Sequence, residues 1–262
     1  MAEPLELPRS IAELYLARVH EVSSMRPIMT GDVFSDIEIP GVEQVDGDER
    51  KLAMVVTHPC SMRQGVKMKV KQQMIRVVRS KPVELPAWRS QYFDRLPLPA
   101  LLQPLDTDEP ADEDGTNDYA ALFELRGRVS TAELLLSRRI VCLSEEGVAL
   151  LHQRISHADT RYPARIGDLM SACSGVFAEA ELAQEWNERL IRVDVDDRVA
   201  LAASLDREAL EFESIIGVQR SYAQGKKTVK SAMREDLADD RKKTYARREL
   251  LRLIREREEE AG

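Results

Sequence analysis

The stretch Met29–Cys60, MTGDVFSDIEIPGVEQVDGDERKLAMVVTHPC, decides how the rest of this 262-residue chain is read. A Gly31-Asp32 turn leads into alternating apolar and polar residues from Val33 to Ile39. A charged loop from Gly41 to Arg50 follows, and Leu52 to Val56 is then a continuous apolar run. Period-2 alternation followed by a short apolar run predicts a strand, a loop and a buried strand. The loop sets Glu43, Gln44, Asp46, Asp48, Glu49 and Arg50 between two strand ends, where a rigid sheet can hold polar groups at a surface groove.

Composition bounds what surrounds that stretch. The length allows one large or two small domains. The chain is 43% hydrophobic and 32% charged, enough for a core inside a heavily charged exterior. Only 5% is aromatic, which points to helix-rich packing on leucine and alanine. The formal net charge of −8 argues against a uniformly basic nucleic-acid binder, but the charge is unevenly spread. Lys51 to Ser90 carries nine Lys or Arg and one acid, whereas Asp106 to Asp118 carries seven acids and no base. That asymmetry implies a basic face shielded by an acidic loop.

Cys60, Cys142 and Cys173 are odd in number and lack C-x-x-C spacing, so no disulfide framework can be read and a reducing cytoplasm is expected. No signal-peptide pattern and no run of ~18 apolar residues is present, so no membrane association is expected.

Outward from the central stretch, Ser10 and Glu13 have capping-box spacing ahead of Ile11, Leu14, Tyr15, Val19 and Val22, which predicts a helix over 11–23. Downstream, Val66, Met68 and Val70 alternate with Lys67, Lys69 and Lys71, the pattern of a strand with one apolar and one lysine face. Residues 74–78 form the next predicted strand. The stretch 103–118 is acidic, rich in turn residues and without an aromatic, so it is expected to be a mobile loop.

Strand character resumes over 119–129. Ser130 with Glu133 then predicts a short helix to Leu136, and residues 140–143 a short strand. Ser144, Glu145 and Glu146 open a helix carrying Val148, Leu151 and Ile155. From Pro163 onward strand signals cease, and helices are expected over 166–173, 179–193 and 198–216. Residues 226–260 read as a long, highly charged helix that is either solvated or docked on a protein partner.

Gly31-Asp32, Gly41-x-Glu43-Gln44, Gly47, Arg50 and the run Ala53–Thr57 stand in the order found at the start of MazF/PemK-like toxins, which this chain resembles. Two features depart from that pattern: the loop is longer between Gln44 and Arg50, and Lys51 replaces a proline. The helix that begins at Ser144 is similar to the family's closing helix. The resemblance implies an α+β protein with a small SH3-like β-barrel over 26–158, preceded by an N-terminal helix (1–25) and followed by a helical C-terminal extension (159–262). It also implies a metal-independent endoribonuclease of a toxin–antitoxin pair, acting on single-stranded RNA without a cofactor. The alternative is a catalytically inactive barrel serving as a nucleic-acid- or protein-binding adaptor in a bacterial assembly, such as a phage-defence complex.

The candidate residues follow from that chemistry. As a ribose 2′-hydroxyl attacks phosphorus, negative charge builds up, and a permanently charged guanidinium offers two donors that match phosphate. The resemblance assigns this role to Arg50; the plain reading is a surface arginine paired with Glu49 or Asp48. Glu43 and Gln44 either position the nucleophile or are ordinary loop residues. Thr57 is the candidate second hydroxyl beside the phosphate. Arg63, Lys67, Lys69 and Lys71 are candidate phosphate-neutralising residues, or else a solvated, aggregation-protected face. His58 and Cys60 could serve as acid–base and nucleophile, or as a turn histidine and a structural thiol. The His and Cys residues show no zinc-finger or H-E-x-x-H spacing, so no metal is expected. There is no phosphate loop or dinucleotide fingerprint.

Overall fold

A computed structural model describes residues 5–43, 50–64, 67–103, 118–194, 197–216, 219–222, 225–228, 250–257 and 259. Its strands are β1 (Tyr15–Arg18), β2 (Val33–Phe34), β3 (Ala53–Val55), β4 (Arg63–Gln64), β5 (Lys67–Met68), β6 (Lys71–Arg79), β7 (Arg95–Leu98), β8 (Tyr119–Ser130) and β9 (Arg139–Leu143). Helices α1 (Glu145–Thr160), α2 (Ile166–Leu190) and α3 (Arg198–Ile216) follow, then the hairpin β10 (Gln219–Tyr222) and β11 (Gly225–Thr228). The protein is α+β. The chain divides into two compact units, Met1–Ser23 with Ile28–Ala172 and Ser24–Pro27 with Cys173–Gly262. Among the described residues, no helix is long and apolar enough to cross a membrane.

The first unit is built on a curled antiparallel sheet of seven strands in the order β1-β9-β2-β3-β6-β8-β7. The apolar run at 52–56 becomes β3, held between β2 (Val33 opposite Met54) and β6 (Met54 opposite Ile75). With neighbours on both sides, its side chains are buried on both faces, as a continuous apolar run requires. The two edges are joined by side chains. From β1, the Tyr15 hydroxyl donates to the carbonyl of Pro99 (2.8 Å), and Arg18 Nη1 donates to that of Ala100 (2.5 Å), just past β7. Phe34, Ile37, Ile39, Val55, Met62, Met74 and Val129 pack as one apolar cluster.

Several expectations are corrected here. Residues 11–23 are not a helix. The Ser10 hydroxyl does accept from the Glu13 amide (3.3 Å), but only two 3-10 turns form, Ala12–Leu14 and Val19–Glu21, and between them Tyr15–Arg18 pairs with β9. Covering the open edge of β9 outweighs weak local helix propensity. The strand expected over 33–39 ends at Phe34, because Asp36 adopts φ +54. Ile37 and Ile39 still enter the core, so the alternation reports burial without a ladder.

The lysine strand is interrupted. β5 stops at Met68, the chain turns through Lys69 and Val70, and β6 starts at Lys71, leaving Val70 79% exposed rather than on an apolar face. After Ser130 the chain makes two 3-10 turns, Thr131–Glu133 and Leu136–Arg138, in place of a short helix.

Helix α1 forms as its sequence requires. The Ser144 hydroxyl accepts from the Gly147 amide (3.0 Å), Glu145 and Glu146 occupy the first turn, and Arg161 ends it in the left-handed region. Helix α2 is one helix where two are expected. In the second unit, Trp186, Phe212, Leu250 and Ile254 form the core. Glu208 is buried there and accepts from Trp186 Nε1 (3.1 Å) and Arg257 Nη1 (3.2 Å). The β10–β11 hairpin corrects the all-helical expectation after Pro163, and places Lys226–Thr228 in a strand. Residues 250–257 are helical. Most of the long helix expected over 226–260 and residues 104–117 of the acidic loop lie outside the described residues.

Candidate functional site

Just past β3, Thr57 bonds to β6, and β6 pairs on its other side with β8 in a ladder that carries exposed cations. Val56 donates its amide to the Gln73 carbonyl (2.8 Å), continuing the ladder one step past β3. At the next step the Thr57 hydroxyl oxygen accepts the Gln73 amide (2.7 Å) in place of a backbone carbonyl. Across β6, Gln73 faces Arg128 and Lys71 faces Ser130. Directly opposed residues of an antiparallel pair project to the same face. Lys71, Gln73 and Arg128 are all exposed on it.

Lys69 lies just before this face. Buried Gln72 donates Nε2 to the carbonyls of Met62 (3.2 Å) and Lys69 (3.1 Å), and the Thr131 hydroxyl also donates to Lys69. These bonds fix the turn that presents Lys69, Val70 and Lys71. Among the described residues, Lys69, Lys71 and Arg128 form no ion pair. Further along β8, Arg126 engages both carboxylate oxygens of Asp159 on α1. Exposed Glu124, Arg126 and Arg128 alternate with Leu125, Gly127 and Val129.

The other sequence candidates are dispersed. Arg50 is exposed at the opposite end of β3 from Thr57, and its carbonyl accepts from the Asp36 amide (3.0 Å). Near it, Lys51 pairs with Glu38 (2.6 Å), and buried Arg76 donates to the Ile37 carbonyl (2.8 Å). The Lys51 contacts, together with Arg76, hold the Glu38 carboxyl below its usual range. Glu43 is exposed, while Gln44 and the Lys67 side chain lie outside the described residues. Arg63 is half-buried in β4, opposite Met68 of β5.

His58 packs on His152 of α1, ring centroids 5.0 Å apart. Burial, then the charge of His58, pushes His152 down to about 4, and burial alone lowers His58. Both imidazoles are therefore neutral near pH 7. The Cys60 side chain lies outside the described residues, and Cys142 and Cys173 are buried thiols. No group of three or more His, Cys, Asp or Glu able to hold a metal occurs among the described residues.

Arg128 is the member of this cluster that sequence reasoning missed. Its signal was present in the alternation of Glu124, Arg126 and Arg128 within the strand predicted over 119–129, but its neighbour across the ladder was not. No family model matches the chain, and neither a curated protein nor a solved structure matches it.

Proposed function

We propose that the β3–β6–β8 face binds single-stranded RNA by its phosphates, with the curled sheet acting as an opened relative of the small SH3-like barrel of MazF/PemK-like proteins. The observation that carries this reading is the set Lys69, Lys71 and Arg128, three cations on and beside one sheet face with no acidic partner among the described residues. Unneutralised cations grouped on a sheet face and the turn beside it match a polyanion, and exposed Val70 between two lysines adds an apolar contact for an unstacked base. The net charge of −8 makes this local surplus the more telling. The test is RNA affinity as a function of salt. For single strands the log–log slope is about −0.7 per phosphate neutralised, so replacing all three cations by Gln should flatten it by about 2. An unchanged slope would remove the reading.

A second reading is favoured by Thr57, whose hydroxyl lies beside this cationic face. It is a metal-independent endoribonuclease of the MazF/PemK kind. The ribose 2′-hydroxyl attacks the adjacent phosphorus, the 5′-oxygen leaves with a proton, and a 2′,3′-cyclic phosphate remains. Lys71 and Arg128 would stabilise the added charge here, with Arg50 serving the strand at the far end of β3. Cleavage of mixed-sequence RNA in excess chelator, reduced in Thr57→Val and Arg50→Ala, is the expected result. Intact RNA in the same assay leaves the binding role alone.

A further inference from the structure

The second unit carries a two-stranded antiparallel ribbon, β10 with β11, which no third strand joins among the described residues. Its register opposes Gln219 to Thr228, Arg220 to Lys227, Ser221 to Lys226 and Tyr222 to Gly225. Opposed residues, and residues two apart, share a face. One face therefore carries Arg220, Tyr222, Gly225 and Lys227, and the other Gln219, Ser221, Lys226 and Thr228. Neither face holds an aliphatic residue. A two-stranded ribbon is marginal in water unless it buries an apolar face, and this one has none to bury.

Charge works against the ladder as well. The stretch 214–234 contains five Lys or Arg and no acid, in a chain whose net charge is −8. Three of the five are in the ribbon, and two of those, Arg220 and Lys227, are directly opposed. Like charges at opposed positions destabilise a ladder. The ribbon's eight residues include no acid to offset them, so an anion laid along that face is what removes the repulsion.

Tyr222 stands one step along the same face, roughly 7 Å from Arg220 at the rise of a strand, opposite a glycine that brings no side chain to the pair. Cations that follow a phosphate chain, beside an aromatic residue on which an unpaired base can stack, are the two parts of a single-strand binding surface. A duplex keeps its bases stacked inside, and an acidic peptide does not repeat a ring beside each charge. We propose that the β10–β11 ribbon is a second contact for single-stranded RNA, Arg220 and Lys227 neutralising phosphate and Tyr222 stacking on a base. The inference takes its ligand from the RNA-binding reading above and shares none of its residues.

The test measures binding of labelled oligouridine to the full chain over a range of salt concentrations, with the thermal midpoint checked for each variant. Arg220→Gln with Lys227→Gln should flatten the log–log slope by about 1.4, at about 0.7 per phosphate. Lys226→Gln, on the other face, should leave the slope nearly unchanged. Tyr222→Leu should weaken binding about fivefold or more at fixed salt and keep the slope. Oligouridine should also slow amide exchange in β10 and β11 of the unsubstituted protein, because a marginal ribbon gains its support from the ligand.

If the ribbon variants keep the slope and affinity while replacement of Lys69, Lys71 and Arg128 loses them, the ribbon proposal is overturned and the first reading stands. If only the ribbon variants lose them, the ribbon stands and the β3–β6–β8 face falls. Losses in both sets sustain both. Exchange in β10 and β11 that oligouridine leaves unchanged overturns the ribbon whatever the variants do. Polyglutamate that competes as well as oligouridine at equal charge, or oligouridine that does not bind at all, also ends it.

Discussion

Asp32 and Arg139 form an ion pair wholly inside the sheet, Oδ2 to Nη1 at 2.9 Å, with side chains 1% and 0% exposed. The same Asp32 oxygen accepts the Met29 amide (2.9 Å), and Arg139 Nη2 donates to the Ser23 carbonyl (2.6 Å). The Gly31-Asp32 turn is thus tied to β9 by a charge pair that water does not reach. Removing one partner leaves the other buried and uncompensated, so Asp32→Ala should destabilise the protein by about 3–5 kcal/mol. Replacing both by apolar residues, as in Asp32→Leu with Arg139→Met, should recover much of that loss. Urea unfolding of the single and double variants measures both, and a double variant as unstable as the single would show that the pair is more than mutual neutralisation.

Gly147 sets two effects against each other. In an exposed helix, Gly→Ala stabilises by up to about 1 kcal/mol. Here a Cβ would stand 2.2 Å from the Leu14 carbonyl oxygen, a backbone atom that cannot rotate away. Forced displacement of packed neighbours typically costs about 1–3 kcal/mol, so the close approach should win. Gly147→Ala is expected to lower the thermal midpoint, and a rise would mean that the 3-10 turn at 12–14 gives way easily.

What the sequence revealed and what it concealed divide along one physical line. The apolar run at 52–56, the strand character of 119–129 and the Ser144 cap were legible because neighbouring residues decide them. β1 was not legible, because the Ser10–Glu13 spacing is a helix start and only the bare edge of β9 makes the chain extend. The Asp32–Arg139 pair joins residues 107 positions apart, and no local pattern announces it. At the candidate site, the lysines were visible as a charged run. That Arg128 stands beside them depends on the β6–β8 register, which shifts between Ile75 and Arg76, and Thr57 is brought to β6 by the β3–β6 pairing. Registers of that kind are set by tertiary packing.

His152 predicts a pH dependence. Its pKa is depressed from 6.5 to about 4 by burial and by His58. In the unfolded chain it takes up a proton near pH 6.5, while the folded form resists until about 4, so the unfolded state binds more protons between those values. Stability from this group is therefore full above about pH 6.5 and is lost progressively as pH falls towards 4, by up to ~3 kcal/mol. His152→Leu should flatten the profile over that window. Urea midpoints at pH 7 and pH 4.5 for both proteins test it, and parallel profiles would exclude His152 as the source.

Two side-chain bonds cross from β1 to the segment after β7 and join the two edges of the curled sheet. Tyr15 is 4% exposed, and burial raises its hydroxyl pKa, so it remains a donor to Pro99 at any ordinary pH. Tyr15→Phe deletes that donor and keeps the ring, which should cost about 1 kcal/mol. The loss should be local, because β1 pairs only with β9 on its other side and lies at the end of the strand order. Hydrogen exchange should therefore accelerate at the amides of β1 while those of β3 and β6 keep their protection. Equal acceleration in all three strands would mean that the Tyr15 bond supports the whole sheet, and no change in β1 would mean that Arg18 alone holds the edge against Ala100.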